Sequence, residues 1–108
     1  MNKTAKKKWL KALRSGDYKQ GSGCLKRVNE NGTTYCCLGV LIDTLGTRWK
    51  KVAGRTHLAC RGNAVAALPA DIKRQVGLSD KVESKLIEMN DQKGRSFKQI
   101  ARYIERYL

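Results

Sequence analysis

One largely apolar segment, residues 37–45, constrains the fold of this 108-residue chain more than any other feature, because apolar residues are concentrated there in a sequence of which charged residues make up 30%. β-Favouring residues come directly before the run, and Gly46 follows it as a helix terminator. The pattern predicts a strand that leads into a short buried helix at the centre of the core. The large apolar residues with helical i, i+3, i+4, i+7 spacing are Leu38, Leu41, Ile42 and Leu45.

A β-hairpin is expected just before this helix. Two short β-favouring runs, residues 24–28 and 33–36, flank the pair Asn31-Gly32. Asn-Gly is a strong signal for a tight turn, because both residues tolerate positive φ angles. The segment after the buried helix is harder to interpret, since residues 47–62 fit either a second hairpin or a long basic loop.

The N-terminal segment predicts an amphipathic helix over residues 4–15. Thr4 is a suitable N-cap and Gly16 is placed to end the helix. Apolar residues recur along one stripe that includes Trp9, while lysines and an arginine occupy the rest of the circumference. We therefore expect Trp9 to face the core and the cations to face water.

Three helices are predicted in the C-terminal part. Pro69 suits the first turn of one helix, and Ser79 can cap the next. The last begins with a capping box formed by Ser96 and Gln99. The inward-facing residues of the three helices are expected to be Ile72 and Val76, then Val82, Leu86 and Met89, then Phe97, Ile100, Ala101 and Ile104.

Together these elements predict an α+β fold in a single domain, residues 1–108. It has an N-terminal helix, a β-hairpin leading into a buried helix, and three C-terminal helices. No apolar stretch approaches the roughly 20 residues of a membrane span, and no secretory-type apolar segment follows the N-terminal lysines. We therefore expect no membrane association and a cytoplasmic location, in which the four cysteines stay reduced.

The formal net charge of +14 is concentrated in the N-terminal part of the chain. Residues 1–62 hold 14 Lys and Arg against 3 Asp and Glu, whereas residues 63–108 hold 9 against 6. Such a field attracts polyanions, although a solubilising lysine-rich face is the simpler interpretation. The lopsided distribution favours an anion-binding surface. We predict that this surface comprises Lys7, Lys8, Lys11, Arg14, Lys26, Arg27, Arg48, Trp49, Lys50, Lys51, Arg55 and Arg61.

Trp49 lies among these cations, and two interpretations of it remain open. Its ring fits stacking on a nucleic-acid base, and it fits packing in the core equally well. Gly21, Ser22 and Gly23 with Lys26 give a weak signal for a loop that cradles phosphate through backbone N–H groups, but they do not form a Walker motif.

Two catalytic or metal chemistries are weaker interpretations. Cys36 or Cys37 at a helix N-terminus, with His57 as base, gives the outline of a thiol hydrolase. The apolar neighbours of both cysteines favour buried core thiols instead. His57 and Cys60 have zinc-ligand spacing, and Cys24 with Cys36 or Cys37 would complete a set of four ligands. However, this is only one loose ligand pair, so buried thiols are again favoured.

A helix-turn-helix formed by residues 79–90 and 96–107 is a further alternative. The second helix carries only Lys98, Arg102 and Arg106 as cations, and it belongs to the less basic half. We therefore disfavour major-groove recognition. We predict no catalytic residue, no metal and no cofactor, and expect a binding or inhibitory protein rather than an enzyme.

Three blocks of sequence are distributed over nearly the full length of the chain. They run from residue 9 to 21, from 35 to 41 and from 86 to 105, and read W-x3-LRSG-x-Y-x-QG, YCCLGVL and L-x2-MND-x2-G-x-SF-x2-IA-x2-IE. Together they resemble a family of small, largely uncharacterised proteins encoded by bacteriophages and prophages, whereas residues 47–67 depart from the blocks. The resemblance implies a non-virion protein made in the bacterial cytoplasm during infection. It carries over no catalytic or ligand-binding role.

Two functions follow from the charge and this resemblance. The first is a binding module that captures a polyanion, either nucleic acid or a nucleotide signal of host defence, through the basic N-terminal half. Such a module would serve host takeover or counter-defence. The second is an inhibitor that docks on an acidic host enzyme or defence complex, with cations steering the association. Its aromatic anchors would come from Tyr18, Tyr35, Trp49 or Tyr103.

Overall fold

A computed structural model describes residues 1–52, 56–60 and 64–108. Helices and strands alternate in the N-terminal half, and helices fill the C-terminal half, so the predicted α+β class is confirmed. A π-helical turn, Glu88–Gln92, continues the fourth helix. In chain order the elements are α1 (Lys3–Ser15), β1 (Lys26–Asn29), β2 (Gly32–Tyr35), α2 (Cys37–Thr44), β3 (Lys50–Lys51), β4 (His57–Ala59), α3 (Ala70–Val76), α4 (Asp80–Ile87) and α5 (Phe97–Tyr107).

The sheet is antiparallel, with the strand order β2-β1-β4-β3. β1 and β2 form the predicted hairpin, in which Lys26 pairs with Tyr35. On its other side β1 pairs with β4, so that Lys26 is also the partner of Leu58. Because β3 and β4 pair with each other, the described part of residues 47–62 contributes two strands rather than a long loop alone.

Helix α2 lies at the centre of the core, as predicted. All residues from Cys37 to Ile42 are buried. The Cys36 thiol caps the helix, because its Sγ accepts a hydrogen bond from the Gly39 N–H at 3.4 Å. The indole Nε1 of Trp9 donates to the carbonyl oxygen of Cys37 at 2.8 Å, which fixes α1 against α2.

Helix α1 begins one residue earlier than predicted, because Asn2 rather than Thr4 is its N-cap. The Asn2 Oδ1 accepts from the Ala5 N–H at 2.9 Å, which satisfies one of the unpaired donors of the first turn. Gly16 ends the helix with a positive φ of 81°, and Trp9 is fully buried, as expected. α1 packs against both α2 and α5.

The three C-terminal helices form with small differences from the prediction. Pro69 immediately precedes α3 instead of lying in its first turn, and Gly77 ends that helix. Ser79 caps α4, and Ser96 with Gln99 forms the capping box of α5. The predicted inward residues of α3 and α5 are buried.

Helix α4 buries a residue that the periodicity did not indicate. Leu86 is buried as predicted, but Val82 and Met89 are only partly buried, and Glu83 is buried with them. Its carboxylate accepts from the Leu68 N–H at 2.7 Å and from the Lys73 Nζ at 3.2 Å. These two donors offset the cost of burying the charge.

Asn90, in the π-helical turn, is a buried hydrogen-bonding hub. Its Oδ1 accepts from the Cys37 N–H at 3.2 Å and from the Gln20 Nε2 at 2.9 Å. Its Nδ2 donates to the Gly21 carbonyl at 2.9 Å and to the Asp91 carboxylate at 2.8 Å. One side chain thus joins the segment before the sheet, the start of α2 and the end of α4.

The helices that the structure describes are all too short or too polar to serve as a membrane span.

Candidate functional site

Two lysines of α1 border a groove at one flank of the helix. Lys8 and Lys11 line it together with Ser15, Asp17, Tyr18 and Thr44, and the cavity measures about 370 Å³. The groove therefore lies between the cationic face of α1 and the end of α2. Both lysines are exposed, so their charges are available to a ligand in this groove.

Arg14 lies on the opposite flank of α1. Its Nη2 forms an ion pair with the Glu105 carboxylate of α5, and the Lys6 Nζ donates to the Glu105 carbonyl oxygen at 3.2 Å. Both residues of the Arg14–Glu105 pair are exposed, so its contribution to stability is small. The pair nevertheless directs Arg14 toward α5 and away from the Lys8–Lys11 groove. Lys7 is exposed on α1 between the two flanks.

An aromatic cluster adjoins the Lys8–Lys11 groove and consists of Tyr18, Tyr35 and Trp49. The rings of Tyr18 and Tyr35 meet edge to face with centroids 4.9 Å apart, and those of Tyr35 and Trp49 lie 6.3 Å apart. The Lys26 Nζ lies 5.2 Å from the Tyr35 centroid and 5.3 Å from the Trp49 centroid. These distances are within the range of cation–π attraction, so the rings hold a cation at the surface of the sheet.

Asp43 holds the aromatic cluster in position from α2. Its carboxylate accepts from the Tyr18 hydroxyl at 2.6 Å and from the Trp49 Nε1 at 3.1 Å. Burial, followed by the hydrogen bond to Asp43, raises the pKa of Tyr18, so the phenol keeps its proton and remains a donor. Trp49 is half-buried and packs against the core, while stacking of its exposed part on a base stays a prediction.

The sheet register separates neighbouring cations. Adjacent residues of a strand point to opposite faces, so Lys26 and Arg27 lie on different faces of β1. Arg27 lies beside His57 on its own face, with its Nη2 3.1 Å from the His57 Nε2. Lys51 pairs with Leu58, the partner of Lys26, and therefore shares the Lys26 face, whereas Lys50 lies on the Arg27 face.

The structure thus brings only part of the predicted anion-binding surface together. We call the united part the basic aromatic surface. Arg14, Arg27 and Lys50 face elsewhere, Lys7 and Arg48 are exposed at its margins, and Arg55 and Arg61 lie outside the described residues. The basic aromatic surface consists of Lys8, Lys11, Lys26, Trp49 and Lys51 from that prediction, together with Tyr18 and Tyr35, which were predicted only as anchors for a protein partner.

Asp43, which supports this surface from α2, was not predicted from the sequence. A signal was present, because Asp43 is the only acidic residue between Glu30 and Asp71 and interrupts the most apolar helix of the chain. An isolated carboxylate in such a position needs donors nearby. The sequence did not indicate that these donors are Tyr18 and Trp49.

The buried thiols have environments unlike those of thiolate nucleophiles. Burial raises the pKa of Cys36 to about 11, although the Gly39 and Leu38 N–H groups at the start of α2 act in the opposite direction. Burial also raises the pKa of Cys37 well above its ordinary value. Across residues 1–52, 56–60 and 64–108, no group of three or more His, Cys, Asp and Glu is arranged to hold a metal ion.

Comparison with known proteins places the chain in a family. No curated protein matches it, and no solved structure does. One family profile, described as a domain of unknown function (DUF8296), matches residues 1–108. Because the match covers the whole chain, the protein belongs to the DUF8296 family.

Proposed function

We propose that the chain binds single-stranded nucleic acid through the basic aromatic surface. The observation that carries the proposal is the position of the Lys26 Nζ, 5.2 Å from the Tyr35 ring and 5.3 Å from the Trp49 ring. Aromatic rings beside cations are what a single strand requires, because bases stack on the rings while phosphates contact the cations.

The charges around the aromatic cluster support the same ligand. Lys8 and Lys11 lie on one side of the cluster, in the groove that Tyr18 completes, and Lys51 shares the face of Lys26. Two carboxylates border the cluster: that of Asp43 already accepts two hydrogen bonds, and that of Asp17 lines the groove opposite two lysine charges. A phosphate on this surface therefore meets cations from both α1 and the sheet.

The biological setting of this proposal comes from the sequence resemblance to phage-encoded proteins. A small basic protein made in the bacterial cytoplasm during infection would capture host or phage nucleic acid as part of host takeover or counter-defence. A nucleotide signal is the alternative anion, and an acidic host protein is the alternative partner. All three can be separated by experiment.

Fluorescence anisotropy with a labelled single strand tests the proposal. Affinity should fall steeply between about 50 and 200 mM salt, because counterions are released on binding. The double variant K8Q/K11Q removes two phosphate contacts and should lower the log–log salt slope by about 1.4. The matched control is K81Q/K85Q, which removes two exposed lysines from α4 and should leave the slope unchanged.

Four results would contradict the proposal. One is the absence of binding at low salt, and another is an equal loss of affinity in both double variants, which would indicate attraction by net charge alone. Tighter binding of a cyclic nucleotide than of a strand, at a site that K8Q/K11Q disrupts, would support the signal alternative. Finally, a host protein that stays bound after nuclease treatment, with no measurable strand affinity, would favour docking on an acidic partner.

A further inference from the structure

A second groove lies along α5, in the half of the chain with little net charge. Its cavity measures about 380 Å³ and shares no lining residue with the Lys8–Lys11 groove. Three guanidinium groups, one amide and two phenol rings surround it. The lining residues are Met89, Arg95, Gln99, Arg102, Tyr103, Arg106 and Tyr107.

No carboxylate lines this arginine–tyrosine groove. The single acidic residue of α5, Glu105, forms its ion pair with Arg14 of α1 and so lies on the other side of the helix. Within the part of the chain that the structure describes, none of Arg95, Arg102 and Arg106 forms an ion pair. The groove therefore concentrates positive charge that the protein itself does not neutralise.

Two tyrosines add an aromatic surface to this charge. The ring centroids of Tyr103 and Tyr107 are 4.9 Å apart, and the Arg106 guanidinium lies 5.5 Å from the Tyr107 centroid. Tyr107 is 65% exposed, so most of its ring is accessible to a ligand. Such a ring at the edge of a cationic groove offers a planar ligand a face on which to stack.

We propose that the arginine–tyrosine groove binds a nucleoside phosphate. Guanidinium groups match phosphate oxygens because each can donate two parallel hydrogen bonds, and the tyrosine face suits a base. The groove is open to solvent, and its volume of about 380 Å³ lies near the lower end of the range for ligand pockets, roughly 300 to 1,000 Å³, which suits a ligand no larger than one nucleotide. The ligand is either a free nucleotide or a single nucleotide unit of a strand.

Calorimetric titration of the full chain with the four ribonucleoside 5′-monophosphates tests this assignment. At least one should bind more tightly than inorganic phosphate or the matching nucleoside, because it engages both the arginines and the ring. The variant R102Q/R106Q should weaken it about tenfold or more, since hydrogen bonds to charged groups are lost. The control K98Q removes a cation of the same helix outside the groove and should change affinity less than about twofold.

Further variants separate the two parts of the groove and its two possible ligands. Y107L should weaken binding of the nucleotide but leave the affinity for inorganic phosphate unchanged. A five-nucleotide strand that loses affinity in R102Q/R106Q identifies a strand unit as the ligand. If R102Q/R106Q weakens binding of the mononucleotide but does not change the affinity for the strand, the ligand of the groove is a free nucleotide.

The inference fails if no monophosphate binds saturably, or if K98Q weakens binding as much as R102Q/R106Q. It also fails if K8Q/K11Q abolishes mononucleotide binding while R102Q/R106Q does not, because the ligand would then occupy the basic aromatic surface. Loss of mononucleotide binding in K8Q/K11Q alone would not contradict the proposed binding of single strands. Loss of strand binding alone would leave the nucleotide site intact.

Discussion

A Cβ atom on Gly39 would overlap the backbone carbonyl oxygen of Leu25. Gly39 lies in the first turn of α2, and the same carbonyl accepts a hydrogen bond from the Cys36 N–H at 3.2 Å. The core helix therefore touches the backbone of the segment that enters β1. Only a residue without a side chain permits this approach.

We expect Gly39→Ala to destabilise the protein by about 3 kcal/mol or more. Alanine would otherwise favour a helix by about 1 kcal/mol over glycine, so the overlap with Leu25 must reverse that preference. The neighbouring atoms are backbone and cannot move aside by a change of rotamer. Urea unfolding followed by circular dichroism measures the difference.

Gly16→Ala is the matched control for this prediction. Gly16 has a φ of 81°, yet no atom lies within 4 Å of an added Cβ. Its substitution should cost only the strain of a left-handed alanine, about 1 kcal/mol. Equal losses in the two variants would show that close approach to Leu25 is not the reason for glycine at position 39.

The Cys36 thiol should make the folded protein less stable at alkaline pH. Burial raises its pKa from 9.0 to about 11, so the folded chain keeps a proton that the unfolded chain loses between these values. Its contribution to stability is therefore complete below pH 9 and is lost as the pH rises to 11. Two pKa units correspond to a fall of about 3 kcal/mol in the free energy of unfolding.

Cys36→Ser isolates this effect. A serine hydroxyl can replace the thiol as acceptor for the Gly39 N–H, so stability at pH 7 should change by less than about 1 kcal/mol. The fall between pH 9 and 11 should become smaller, because serine does not titrate there. An unchanged alkaline profile would assign the pH dependence to other groups.

Gln20 and Asn90 should be energetically coupled. The Gln20 Nε2 donates to the Asn90 Oδ1 at 2.9 Å and to the Arg95 carbonyl at 2.7 Å, and its Oε1 accepts from the Phe97 N–H at 3.1 Å. Each alanine variant should cost about 1 to 3 kcal/mol, since partners lose their bonds. The double variant should show a coupling energy of about 1 kcal/mol. Additive losses would mean that the two amides act independently.

Trp49 should report strand binding through its fluorescence. Trp9 is fully buried, whereas Trp49 is half-buried, so acrylamide should quench mainly Trp49. A bound single strand should reduce this quenching, because a stacked base covers the ring. Trp49→Phe provides the control, since its remaining fluorescence should resist acrylamide with or without the strand. Quenching of the native protein that a saturating strand leaves unchanged would exclude stacking at this position.

Local sequence signals predict much of the fold. The spacing of Leu38, Leu41 and Ile42 indicated the core helix, and the Ser96–Gln99 capping box indicated the start of α5. Both signals act within four residues, which is the range of helical periodicity and capping. The burial of Glu83 could not be predicted in this way, because its donors come from Lys73 and Leu68, 10 and 15 residues away.

The candidate site was less predictable than the fold. Lys26 and Arg27 are neighbours in the sequence, and charge alone gave no reason to separate them. Their different faces follow from the alternation of side chains along β1, whereas the pairing of β4 with β1 and β3 decides that Lys51 joins the Lys26 face and Lys50 the Arg27 face. Composition therefore identified the basic half of the protein, whereas register decided which of its cations share a face.

The Asn90 hub has a consequence for how the protein opens. Its amide binds Gly21, the Cys37 N–H and Gln20, so neither the sheet side nor the helical side can separate without breaking these bonds. Local fluctuations of one side alone would leave a buried amide without partners. The two sides should therefore exchange their protected amide hydrogens at a common rate, as a single cooperative unit.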